Sequence, residues 1–563
     1  MTRTMRSAGL FSLGALTILL CACGGGDSSN TASSATGSTS SSSTSSSSIS
    51  SSSSSGAASA TTDVLTYHND NMRTGENLTE TVLTPANVTS STFGMLRLLQ
   101  TDNPVDAAPL IAVNVSMGGG THTVVYVVTE HDSVYAFDAD SGATLLQVSL
   151  LPSGENPSGT HGCDQVQPEI GITSTPVIDR SQGPQGTMYV VAMSEDGNGN
   201  YYQRLHALDL ATLTDRIAPV VIAASAAGSG PNSSNGTLTF NAGDYKERGA
   251  LLGASGQIYT VWASHCDFSP YNGWIIAYDA TTLAQTAALS YTPNGTMGAI
   301  WNVAGLAADN AGALYGMAGN GTFDSSLASS GFPSDGDYGN AVMKILSSAT
   351  ALSVSDYYAA SNTVAESNGD IDLGSGSPML LPDQTDSSGS TRHLLIGAGK
   401  DGNLLLLDRD NLGKFNAGTD TAYQRLSGAL PGGLFSAFAY FNGSVYIADV
   451  GGSLKQFALT NAQLSASPTS QSQATFGFPG SSPAVSANGG SSAIVWALTS
   501  ATSGAAVLHA YNPANLAQEY YNSTQAVSNR DAFGNGEKFI TPVIANGKVF
   551  VGTPTGVAVF GER

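Results

Sequence analysis

The chain has 563 residues, with 42 Asp and Glu against 20 Lys and Arg, a formal net charge of −22. That balance excludes the basic face that a nucleic-acid partner or binding to anionic headgroups requires. With 65 Gly, only 11% charged residues and no long amphipathic helical pattern, the composition points to an all-β protein.

Residues 1–22 read as a signal peptide. Arg3 and Arg6 give a positive start, Gly9 to Leu20 is apolar, and Leu20-Cys21-Ala22-Cys23 follows. The apolar run is short for a membrane span. The Leu-x-Ala-Cys ending resembles the bacterial lipobox, which implies cleavage before Cys23 and acylation of its thiol. Gly24 after the cysteine favours, by the same resemblance, the outer membrane. Residues 23–62 are almost entirely Ser, Thr, Gly and Ala. They have no apolar surface to bury and read as a disordered tether. Its random-coil reach of roughly 30–35 Å would hold a folded domain clear of a membrane.

From residue 63 the chain turns β-branched, aromatic and Gly-rich. Thr123 to Leu146, TVVYVVTEHDSVYAFDADSGATLL, sets the pattern. Val124 to Val128 is apolar without alternation, so both faces of that strand should be covered. A polar turn leads to Val134–Phe137, and an aspartate-led turn to a third run. The phrase returns in LHALDLATLT, IIAYDATTLAQ, LLLLDRDNLGK and looser copies down to VAVFGER at the C-terminus. With Phe137, Leu208, Tyr278, Ile345, Leu407, Phe457, Tyr511 and Phe560 taken as equivalent, the spacing falls from 71 to 49 residues. Eight copies of a four-stranded antiparallel unit predict a single eight-bladed β-propeller over residues 63–563. The last unit has three strands only. Phe93 to Gln100, FGMLRLLQ, has no other partner and is expected to supply the missing outer strand, closing the ring.

Two cysteines remain after processing. Cys163 and Cys266 are expected to pair, since an exported protein meets an oxidising compartment. The Asp-x-Asp turns Asp138/Asp140, Asp335/Asp337 and Asp408/Asp410 lack the terminal Glu of a calcium loop and read as hairpin turns. Gly397-Ala-Gly399-Lys-Asp-Gly402 fits a dinucleotide string but joins two strands instead of opening a helix. His-Glu-x-x-His, Gly-x-Ser-x-Gly and Cys-x-x-Cys-His are all missing from the sequence.

Ala136-Phe137-Asp138-Ala139-Asp140-Ser141-Gly142 and its copies resemble the repeats of the quinoprotein-like (PQQ-like) β-propellers, over about Phe93 to Gly561. TYHNDNMRTGENLTETVLTPANV and GAGKDGNLLLLDRDNLGKF look like a group of exported bacterial propellers of unsettled activity. For its dehydrogenase members the resemblance implies PQQ and Ca²⁺, a vicinal Cys-Cys pair and a tryptophan ending each repeat. The chain has no Cys-Cys, and Leu146 stands at that tryptophan position. No bound cofactor is the expectation.

Polar residues outside the repeated cores are the candidates for chemistry: His68, Asn69, Asp70 and Arg73; Glu130, His131 and Asp132; Glu169; His265 and Asp267; Lys400 and Asp401; Arg530 and Asp531. Read as turns at equivalent places, they would meet at one mouth of a central channel, with Trp301 lining it. There they either form an acid–base or ligand site or bond strand ends and one another. The favoured reading is a monomeric, lipid-anchored binding or scaffold module for a protein or glycan. The lipoprotein of the outer-membrane assembly machinery is its analogue. The alternative is an enzyme, either a quinoprotein-type oxidoreductase or a hydrolase or lyase acting on a sugar polymer.

Overall fold

A computed structural model describes residues 62–268, 270–500 and 504–563. The expected signal peptide, Cys23 and the tether up to residue 61 lie outside the described residues. Eight sheets each carry four antiparallel strands, in chain order in seven of them. The first runs Leu110–Met117, Gly120–Val128, Ser133–Asp138 and Thr144–Ser149. Val124 to Val128 are all buried, as expected of a strand covered on both faces. The eight residues taken as equivalent all fall on the third strand of their sheet.

The repeated aspartate closes the turn after that third strand. Asp138 accepts from the backbone N–H groups of Asp140 and Ser141, Asp209 from Ala211 and Thr212, and Asp279 from Thr281 and Thr282. This is why the short polar side chain recurs at that place. Phe93–Gln100 pairs antiparallel with Gly556–Glu562 and is the fourth strand of the last sheet. Phe93 is fully buried there against Trp496, Tyr521 and Phe560.

The core is divided among interfaces between consecutive sheets. Tyr126 and Ala136 of the first sheet, for example, pack with Met188 and Val190 of the second. Equivalent clusters join every following pair, and Ile111, Val125 and Phe137 of the first sheet pack with Val543, Phe550 and Val559 of the last.

Residues 64–77, ahead of the first sheet, touch the first strand of all eight. Val64 exchanges both backbone bonds with Ile111; the carbonyls of Leu65, Asn71, Met72, Thr74 and Gly75 accept from Ile178, Ala308, Leu380, Tyr440 and Val485; the Asn71 and Asn77 amides donate to Gly253 and Ile544. A segment bonded to eight first strands lies where those strands converge. Arg73 locks it. The residue is 1% exposed, and its guanidinium donates to the carbonyls of Leu306, Tyr67 and Leu251 and to Thr66 Oγ1.

Candidate functional site

At the end where the chain enters the first strands, a cavity of about 310 Å³ opens. Its apolar wall is an arc of four rings: Trp301, Phe435, Phe478 and Phe539. Successive centroids are 6.1, 5.2 and 6.0 Å apart, and successive planes are inclined by 49°, 67° and 84°. Each ring comes from the stretch preceding a different first strand. The opposite side is lined by Gln165, Ser264, Cys266 and Asp267. Cys266 is bonded to Cys163 in the expected disulfide, which ties the loop before the second sheet to a turn of the third. Lys400 stands at the rim, 2.7 Å from Asp370 and 3.1 Å from Asp372, with its ammonium 5.9 Å from the Trp301 ring centre. Trp301 Nε1 donates to Asp372 at 3.1 Å.

The floor is charged. Arg248 is 8% exposed, and its guanidinium carbon sits 3.7 Å over the Phe539 ring. Below it a cavity of about 20 Å³, room for one water, reaches Tyr67 and Thr541. Arg248 and Lys538 both depress Lys246, and Arg248 depresses Lys538. Burial, with Arg248 beside it, pushes Lys246 down to about 7, and burial lowers Lys538. Asp106 and Glu130 face these cations, but burial raises Asp106 well above the carboxylate range and Glu130 to about 7. Burial that favours the protonated carboxyl weakens its hold on the neighbouring cations. Among the described residues, Lys246, Arg248 and Lys538 are the only Lys or Arg side chains that make no hydrogen bond or ion pair.

The residues singled out from the sequence are largely bonded elsewhere. His68, Asp70 and Arg73 lie in the axial segment and not in an inter-strand turn. His68 bonds Thr541 at 3.1 Å, and burial pushes its ring down to about 3. Asp70 holds the Thr74 N–H; Asn69 lines a separate cavity with it. Glu130 accepts from Gly171 N and Thr173 Oγ1 at 2.9 and 3.0 Å. His131 and Glu169 pair at 2.6 Å. Asp132 is buried, with neither carboxyl oxygen partnered. His265 is buried and stacks on His161 with centroids 4.0 Å apart. Asp401 caps its own turn through Asn403 N. Arg530 and Asp531 hold the closing strand: buried Asp531 accepts from Met95 N, Tyr521 and Arg530. Only Lys400, Asp267 and Trp301 line the pocket.

Arg248, Lys538, Phe435, Phe478 and Phe539 went unmarked because no turn motif carries them. A register signal exists. Asp106, Thr173, Arg248, Phe435 and Phe539 each stand five positions ahead of the strand residue bonded to the axial segment, namely Ile111, Ile178, Gly253, Tyr440 and Ile544. One position of the repeat therefore lines the mouth.

No protein-family model matches the chain, and no curated protein does. Solved structures do. The quinohemoprotein alcohol dehydrogenase from Comamonas testosteroni superposes with a TM-score of 0.56 at 15% identity, over 89% of this chain and 80% of that one. The fold is a PQQ-like β-propeller. Quinohemoprotein alcohol dehydrogenase ADHIIG from Pseudomonas putida HK5 gives 0.56 at 13% identity over the same shares. Identity at this level speaks for the propeller and not for its chemistry.

A calcium-bound quinone was tested against the residues of the propeller mouth. Among the described residues, no three or more Asp, Glu, His or Cys groups come together to hold a metal ion. The disulfide joins cysteines 103 residues apart instead of neighbours. Successive rings of the arc meet at 49°, 67° and 84°, not face to face. The donor set does not fit that group.

Proposed function

We propose that this chain is an exported lipoprotein, acylated at Cys23 and held at the bacterial outer membrane by its Ser-rich tether, whose eight sheets are the blades of one closed propeller that binds a ligand at its mouth. The antiparallel seat of Phe93–Gln100 beside Gly556–Glu562 and the return of the packing order to the first sheet support eight blades in a closed ring. The observation that carries the binding role is the pocket: an aromatic arc beside Arg248 and Lys538, whose side chains make no hydrogen bond or ion pair within the described residues. Unpaired buried charge is costly and is retained where a ligand completes it. A protein or glycan is the partner class; the acidic exterior disfavours nucleic acid.

The test is native mass spectrometry of the protein taken from its own membrane fraction, beside thermal melting with a panel of sugars, peptides and PQQ with Ca²⁺. A bound small molecule, or a raised melting temperature lost on Phe478→Ala, is expected. Dye-linked turnover with PQQ would overturn the reading in favour of an oxidoreductase.

An enzyme acting on a sugar polymer is the second reading. One observation favours it: Glu130, Glu537 and Lys246 are all brought to about 7 within one cluster, which suits proton transfer at neutral pH.

A further inference from the structure

Fifteen of the cationic side chains among the described residues are neutralised locally, either by a carboxylate or by carbonyl and hydroxyl oxygens, as at Arg73, Arg97, Arg216 and Lys344. The three exceptions stand together at the propeller mouth. In a chain with a net charge of −22 this placement is not a by-product of excess positive charge. Arg248 is the telling member. A guanidinium has five N–H donors in a planar fork, and no protein group accepts from any of them at Arg248, whose terminal nitrogens face the cavity. Its Nε is wholly buried and unbonded, as is Lys246 Nζ. The ring beneath Arg248, Phe539, holds the fork in place and supplies no acceptor. A carboxylate entering the pocket would meet two donors of the fork side by side.

The rest of the pocket limits what bears that carboxylate. The four rings are inclined to one another, so they suit a ligand that shows apolar faces in several directions, not a flat one needing two parallel walls. Around the rings stand groups that give and accept hydrogen bonds: Gln165, Ser264, Asp267, Asp372 and Lys400. A hydroxyl both donates and accepts, and a ring edged with hydroxyls uses such a mixed rim fully. A pyranose has C–H faces for the arc and hydroxyls for the rim. At about 310 Å³ the cavity lies at the small end of ligand sites.

Resting on the binding role argued above, we infer that the pocket takes a carboxylated sugar, a hexuronate residue of an acidic glycan, with its carboxylate on Arg248 and Lys538 and its ring against Trp301 and Phe478. Phe478 is 49% exposed and stands where a second sugar residue would leave the pocket. Lys246 and the Asp106–Glu130 pair lie behind Arg248. They touch the sugar only through it.

The tryptophans provide the assay. Trp262, Trp274 and Trp496 are 0, 1 and 0% exposed, whereas Trp301 faces the pocket, so ligand-dependent emission reports this site. The full chain is titrated with trigalacturonate, with its neutral counterpart galactotriose, with benzoate, and with PQQ plus Ca²⁺. Trigalacturonate is expected to change Trp301 emission saturably, at least tenfold more tightly than galactotriose, and to weaken as salt rises. Lys538→Gln should weaken it tenfold or more, and Arg248→Gln further; Trp301→Phe should abolish the signal but leave a thermal shift. Lys538 is half-exposed, so its variant stays folded even if the Arg248 change does not. Saturable binding of benzoate or PQQ with trigalacturonate silent would overturn the sugar and leave the binding role standing. A response equal for the neutral and charged trisaccharides, or unmoved by Lys538→Gln, would overturn the carboxylate. No response to any of the four would overturn both readings.

Discussion

Arg73 is the residue on which the axial segment depends. Replacing it with Met keeps most of the volume and removes every donor. Four hydrogen bonds are lost, at 2.9, 2.8, 3.0 and 3.3 Å, to oxygens from which solvent is excluded. Bonds from a charged donor contribute about 1.5 kcal/mol each at the low end, so about 6 kcal/mol in all. Burial opposes this. It pushes the guanidinium down to about 10, a cost of about 3 kcal/mol at about 1.36 kcal/mol per pH unit. The net loss is about 3 kcal/mol, which makes opening of the segment roughly a hundredfold more frequent. Native-state hydrogen exchange reads this directly. The N–H groups of Ala308 and Leu380 donate to Asn71 and Met72, next to Arg73, and should exchange about a hundredfold faster in Arg73→Met. Amides inside the second and third strands of the same sheets should not change. Exchange at Ala308 and Leu380 accelerated less than threefold would refute the account, because it would mean that the segment holds without its guanidinium.

Three further outcomes are expected. Glu76, Glu130 and Glu537 are raised by burial to about 7, so the folded state holds their protons more tightly than the unfolded chain; their stabilising effect is complete below about 4.5 and is lost as pH rises to 7. Lys246, lowered by burial to about 7, loses its contribution as pH falls from 10.5 to 7, and buried His68 and His265, lowered to about 3, lose theirs as pH falls below 6.5; the Glu contribution is therefore read by difference, and the urea midpoint of Glu537→Gln relative to the parent should rise between pH 5 and 7. The Cys163–Cys266 bridge closes a span of 103 residues, and the double Ala variant should lose about 4 to 5 kcal/mol, measured as a lower denaturant midpoint. Asp531→Asn removes the carboxylate shared by Met95, Tyr521 and Arg530 and should cost about 3 kcal/mol, with faster exchange confined to Phe93–Gln100 and its partner strand.

The repeat was legible because each unit carries its own local chemistry. A run such as Val124 to Val128 is a strand covered on both faces wherever it is placed, and an Asp that ties the next turn is recognisable from five residues. The outer strand of the last sheet was legible by the same means: Phe93–Gln100 is apolar enough to need a neighbour, and the last unit was short of one. The pairing of Cys163 with Cys266 followed from compartment. The mouth was not legible in this way. Glu130, His131, Glu169 and Asp531 were marked because charged residues in turns stand out, yet each is consumed by a neighbour at 2.6 to 3.1 Å. Phe435, Phe478 and Arg248 stand in unpatterned stretches between repeats and were passed over.

The sequence alone determined the strands, their turns and the way each sheet covers the next, since those depend on side chains only a few residues apart. Tertiary structure decided which charges stay free. Whether a lysine or arginine finds a carboxylate depends on which loops of different sheets meet in space, and around Lys246, Arg248 and Lys538 burial raises the nearby Asp106 and Glu130. It also decided that residues 64–77 run through the meeting point of eight first strands, because that path is set by open backbone donors and acceptors on every sheet and by nothing in the segment's own periodicity.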